Sequence, residues 1–123
     1  MELESARMET IADEIAVVEP ASPETPRIFE AMLGSQGAVA RGTQIGQAAA
    51  EARRKAGHDV VVCGPNLAAN RRLAETIERN ANTQVRRCPP HPNAGPKALP
   101  HYQPDPRPPE GHTFYETPTR KCV

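Results

Sequence analysis

Large aromatic side chains are nearly missing from this chain of 123 residues, which has no Trp, two Tyr and two Phe. A core must therefore be assembled from Ala, Val, Ile and Leu, which implies modest stability for a single domain of this length. Long hydrophobic runs are missing as well. None approaches the roughly 20 apolar residues of a membrane span, so no span is expected. The first residues are acidic, whereas a secretory leader needs basic charge followed by an apolar run; no such leader is expected. Cysteine is sparse, and Cys63, Cys88 and Cys122 are odd in number and far apart. That argues against a disulfide framework, although a single bridge stays open.

The formal net charge of zero hides an asymmetry. Up to Leu33 there are eight acidic residues against Arg7 and Arg27, and from Gly34 onward thirteen Lys or Arg against seven acids. The chain thus reads as a basic module with an acidic leader, and basic modules favour phosphate-bearing partners. Two ordinary solvated faces would give the same count.

Residues 4–18 carry Met8, Ile11, Ile15 and Val18 on one helical stripe, ended by Pro20, Pro23 and Pro26. A short helical stretch is expected over 27–33, where Ile28, Phe29, Met32 and Leu33 are apolar. Residues 1–36 accordingly read as an acidic helical leader or connector, and 37–123 as a compact α+β domain. A helix is expected over 43–56, with Thr43 as N-cap, Gly57 just past its end, an alanine face inward and Arg53, Arg54 and Lys55 outward. Val60, Val61, Val62 and Cys63 form an apolar run with the length and β-branching of a buried strand. Asn66 suits the cap of a helix from Leu67 to about residue 80, with Leu73, Ile77 and Ala81 inward. Strands are expected near 83–87, 99–103 and 112–116. In the last, Thr113 and Tyr115 face one way and His112 and Phe114 the other. The expected fold class is α+β: N-terminal helices, then a small, mainly antiparallel sheet, with a proline-rich loop segment near the C-terminus.

That segment, 88–115, holds most of the fourteen prolines, three of the four histidines and both tyrosines. Its prolines exclude a regular helix, while its histidines and aromatics are unusual for a linker. Imidazole titrates near neutral pH, so His101 and His112 are candidate acid and base groups, with Arg107 stabilising charge on a phosphate. His91, Lys97, Tyr102, Tyr115, Arg86 and Arg87 are candidate substrate contacts, the arginines and lysine for phosphate and the tyrosines for stacking on a base. This set suits RNA cleavage without a metal or cofactor. Each residue also has a plainer role: the tyrosines as core fillers, Arg107 as a solvated loop charge, the histidines as surface or hydrogen-bonding groups. A second chemistry is a zinc shell from Cys88, His91, His101 and His112, although only Cys88 and His91 have a ligand-like spacing. A metal-dependent DNase and a non-enzymatic binding or adaptor module remain the alternatives.

Three stretches carry a family resemblance: Gly57-His-Asp-Val-Val-Val-Cys-Gly64; Ala68-Ala-Asn70-Arg71-Arg72; and the tail with Asn93-Ala-Gly-Pro96, Leu99-Pro-His101-Tyr-Gln103 and Gly111-His112-Thr-Phe-Tyr115. Over about half its length the chain resembles the C-terminal toxin domains of bacterial polymorphic toxins, delivered by contact-dependent or type VI systems. The resemblance implies a cytotoxic domain, many of whose kind are nucleases and several of which share a barnase- or colicin-like ribonuclease fold, secreted as part of a larger effector and acting in the target-cell cytoplasm. It also implies a cognate immunity protein, expected to be acidic because the face it must cover is basic.

Overall fold

The run Val60–Cys63 is buried at every residue and forms the third strand of a six-stranded sheet. A strand buried on both faces needs neighbours on both edges and cover on both sides, and the rest of the chain supplies them. The computed structural model describes residues 25–90, 95 and 97–122. In chain order the elements are β1 (Arg27–Leu33), a 3-10 turn (Ser35–Gly37), β2 (Val39–Ile45), α1 (Gln47–Lys55), β3 (Val60–Cys63), α2 (Leu67–Ala81), β4 (Val85–Cys88), β5 (His101–Pro104) and β6 (Thr113–Tyr115). The sheet order is β2-β1-β3-β6-β5-β4. All neighbours are antiparallel except β3 and β6, which run parallel with Val60 opposite Thr113 and Val62 opposite Tyr115.

This arrangement corrects the expected order of helices first and sheet second. The described residues contain two α-helices, both after the first two strands, and the sheet is mixed. The expected helix over 27–33 is β1, held between β2 and β3. Its apolar residues fit either period, and pairing along both edges decides for the strand. β1 thereby brings residues 27–33 of the expected leader into the sheet, beside β3. The expected helix over 4–18 lies outside the described residues. Thr43 is not an N-cap but part of β2, and α1 starts after Gly46.

The inward face of α1 also differs from expectation. Ala50 and Arg54 are its buried residues, whereas Ala48, Ala49 and Ala52 are exposed. An alanine-rich helix offers too little contrast for its apolar stripe to be read, and the buried arginine inverts the usual rule for charge. α2 is capped as expected, the Asn66 side chain accepting from Ala69 N–H at 2.9 Å; of the expected inward residues Ile77 is buried and Leu73 and Ala81 are half-buried, while Asn70, Ala74 and Glu78 complete the buried face.

Alternation divides the core in two. On the helix side, Ile28, Val60, Val62, Tyr102 and Tyr115 pack with Ala50, Ala74 and Ile77. On the other side, Ala31, Val39, Val61, Cys63 and Phe114 pack with Leu99 of the proline segment, and Cys122 of the tail lies against them. The proline segment thus works partly as a cover for the face the helices leave open. No helix among the described residues is long and apolar enough to cross a membrane.

Candidate functional site

Asp59 and His112 immediately precede β3 and β6, so the parallel pairing of those strands sets them side by side. The Asp59 carboxylate accepts the His112 backbone N–H at 2.8 Å and lies 3.1 Å from its Nδ1. On the other side of the ring, Arg107 Nη2 is 3.2 Å from Nε2. One tautomer satisfies both contacts: Nδ1–H donates to Asp59, and the Nε2 lone pair accepts from Arg107. The pair is partly open to solvent, with side-chain exposures of 22% for Asp59 and 21% for His112. Burial works against the charge on Asp59, but the hydrogen bonds from His112, and the attraction of its ring when protonated, outweigh it and hold the carboxyl below its usual range.

The turn that presents His112 depends on two close-approaching glycines. Gly57 and Gly111 both have positive φ, +86° and +92°. A Cβ on Gly111 would stand 2.5 Å from Arg54 Nη1 and 2.8 Å from the Gly57 carbonyl. Beneath the turn, Arg54 donates to the carbonyls of His58 and Glu110, both at 3.0 Å. Its Nε also donates to Glu78 Oε1 at 2.8 Å, an ion pair with both side chains fully buried. Glu78 accepts further from Thr113 Oγ1 at 2.8 Å and Asn82 Nδ2 at 2.7 Å. One buried network therefore joins α1, α2, β6 and the end of the proline segment.

Of the expected acid–base residues, His101, His112 and Arg107 are gathered in one place. The rings of His101 and His112 meet edge-to-face at 4.6 Å between centroids, and Phe114 lies within 5.5 Å of both. His101 is fully buried in β5, however, with Nδ1 3.4 Å from the Leu99 carbonyl, so it packs behind His112 and does not reach solvent. Arg107 also donates to Gly111 O at 2.9 Å and Glu110 Oε1 at 3.2 Å.

The expected substrate contacts divide. Arg87 and Tyr115 line a cavity of about 470 Å3 with Arg71, Cys88 and Pro100, at the end of β6 opposite His112. Burial raises the Tyr115 hydroxyl pKa, an effect opposed by the charges of Arg87 and Arg71. Tyr102 is buried beside Tyr115, 5.8 Å between ring centroids, with its hydroxyl toward Glu75. Arg86 is exposed on β4, and Lys97 is exposed beside Ser35 and Gln36. His91 lies outside the described residues, and with it part of the Cys88–His91–His101–His112 zinc shell. Among the described residues, the metal-ligating side chains that converge are Cys63, Glu116 and Cys122.

Sequence reasoning missed Asp59 and Arg71 as members of these clusters. The only signal for Asp59 was a carboxylate directly before a buried strand, and its partner lies 53 residues away. Arg71 gave no signal beyond a basic residue on a polar helix face. Comparison with known proteins finds no family model that matches the chain, and no curated protein and no solved structure that matches it.

Proposed function

We propose that the chain is a nucleic-acid-cleaving toxin domain that uses His112 as its base, on RNA and without a catalytic metal. The observation that carries this reading is the linear set Asp59–His112–Arg107 at a partly exposed turn. Asp59 fixes the tautomer by accepting from Nδ1–H, which leaves Nε2 as the proton acceptor. Arg107, released from Nε2, pairs with the phosphate. Nε2 then takes the proton of the ribose 2′-hydroxyl, whose oxygen attacks phosphorus, and the departing 5′-oxygen takes its proton from water. His101, enclosed behind the ring, serves as a positioning residue. The cavity with Arg71 and Arg87 holds flanking phosphates, and Tyr115 forms its wall.

The family resemblance supplies the biological setting: a domain carried in a larger secreted effector, acting in the cytoplasm of the target cell. A cognate immunity protein with an acidic surface would cover Arg107 and His112. The experiment is cleavage of total RNA by the purified chain in the presence of EDTA. Activity lost in His112→Ala, with folding intact, supports the reading; undiminished cleavage by His112→Ala sinks it.

A second reading rests on the same residues. Arg107 is engaged with Glu110, Gly111 and His112, the pattern of a latch that holds the proline loop in a binding module. A wild-type chain without nuclease activity, whose thermal stability drops in Arg107→Ala, favours the latch.

A further inference from the structure

At the other end of β6 a second cluster forms, away from His112. Cys63 closes β3 and Glu116 follows β6 directly, and these strands are parallel neighbours with Val62 opposite Tyr115. The next positions in register are Cys63 and Glu116. Alternation puts them on the face away from the helices, as the packing of Val61, Cys63 and Phe114 shows. The carboxyl ends of parallel strands are where α/β sheets place ligand sites.

The third group comes from the tail. Glu116 Oε2 accepts the Cys122 backbone N–H at 2.8 Å, and Cys122 Sγ lies 3.3 Å from Cys63 Sγ. Arg120 holds the tail down by donating to the Ala98 carbonyl at 2.8 Å. The two sulfurs and a carboxylate oxygen lie within 4.8 Å of one another, with Cys63 5% and Glu116 7% exposed. A carboxylate so enclosed needs compensation, yet among the described residues no Lys or Arg forms an ion pair with it.

We propose that Cys63, Cys122 and Glu116 bind a thiophilic divalent cation of the zinc class, with the fourth position open to water or a ligand. Tetrahedral coordination with metal–sulfur bonds of about 2.3 Å separates two sulfurs by about 3.8 Å. The observed pair, 3.3 Å apart, must part by roughly 0.5 Å to reach it. A disulfide would require closure by about 1.2 Å and has no use for the carboxylate. On binding, both thiol protons pass to solvent.

The strand ends that carry two of the ligands are braced from behind. Asn70 Nδ2 donates to the carbonyls of Gly64 at 2.8 Å and Glu116 at 3.1 Å. A Cβ at position 64 would come within 2.7 Å of Asn70 Oδ1, so Gly64 preserves this brace. Outer groups of this kind orient metal ligands. The site does not depend on the cleavage reading, because His112 lies at the opposite end of β6.

The test uses the full chain, reduced and freed of metal, titrated with Co2+ and then Zn2+. One equivalent of Co2+ is expected to produce thiolate-to-metal charge-transfer absorption, displaced by Zn2+. Cys122→Ser, on the tail and outside the core strands, should abolish the band, Glu116→Gln should weaken binding, and Cys88→Ser should leave both unchanged. The proposal is overturned if the reduced wild type gives no thiolate band, if Cys122→Ser retains it, or if Cys88→Ser loses it. Recovery of a Cys63–Cys122 disulfide from a chain that binds no Co2+ after reduction would also overturn it.

Discussion

Replacing Arg54 by Met should be among the most damaging single changes in this molecule. Arg54 is fully buried and spends its guanidinium on Glu78 and on the carbonyls of His58 and Glu110. Met fills much of the same channel without charge. Glu78 would keep Thr113 and Asn82 as donors but lose its counter-ion. Breaking a buried pair by removing one partner costs about 3–5 kcal/mol, a large part of the roughly 5–15 kcal/mol that holds a typical domain together. For a domain of this size, the melting temperature should fall by about 10–30 °C. The decisive comparison is the double variant Arg54→Met/Glu78→Leu. It removes both charges, so its cost should stay well below the two single losses added, although the Thr113 hydroxyl and two carbonyls are each left without this partner. Urea unfolding followed by circular dichroism, over the four members of the cycle, gives the coupling directly. A single-variant loss below about 1 kcal/mol, or a double variant as unstable as the two losses added, would refute the reasoning.

Gly111→Ala should destabilise by about 2–4 kcal/mol, through its positive φ and the collision with Arg54 and the Gly57 carbonyl; thermal melts measure this. Asp59 gives a pH signature. Its folded pKa lies below the ordinary 3.8, so the unfolded chain binds more protons near that pH. Its contribution is therefore present above about pH 4 and is lost as pH falls through the folded value. Asp59→Asn should flatten the acid limb of stability measured by urea melts from pH 6 downward. Finally, Arg71→Ala and Arg87→Ala should each weaken binding of single-stranded RNA and reduce its salt slope by about 1, read from affinities across a salt series.

Several elements were legible because their signals are local. Val60–Cys63 reads as a buried strand from four apolar residues between turn residues, and it is one. α2 follows from the Asn66 cap and its apolar spacing. The alternation of His112 and Phe114 against Thr113 and Tyr115 holds, with Tyr115 in the helix-side core and Phe114 in the other. β1 was misread because Ile28, Phe29, Met32 and Leu33 satisfy a helical stripe as readily as a strand. Only β2 and β3, pairing along its two edges, distinguish them. The proximity of His101, His112 and Arg107 was expected from their segment, but the full burial of His101 was not, because burial depends on the neighbours across β4 and β6.

Residue types and short-range spacing by themselves determined where chain direction changes, which runs must be buried, and where imidazole and guanidinium chemistry is concentrated. These follow from backbone sterics and from the cost of exposing apolar surface, both local properties. Tertiary structure alone decided the parallel pairing of β3 with β6. That single contact brings Asp59 to His112 at one end and Cys63 to Glu116 at the other, across 53 residues in each case. It also decided that Arg54 turns inward, because a charge enters a core only where a partner such as Glu78 is already placed to meet it.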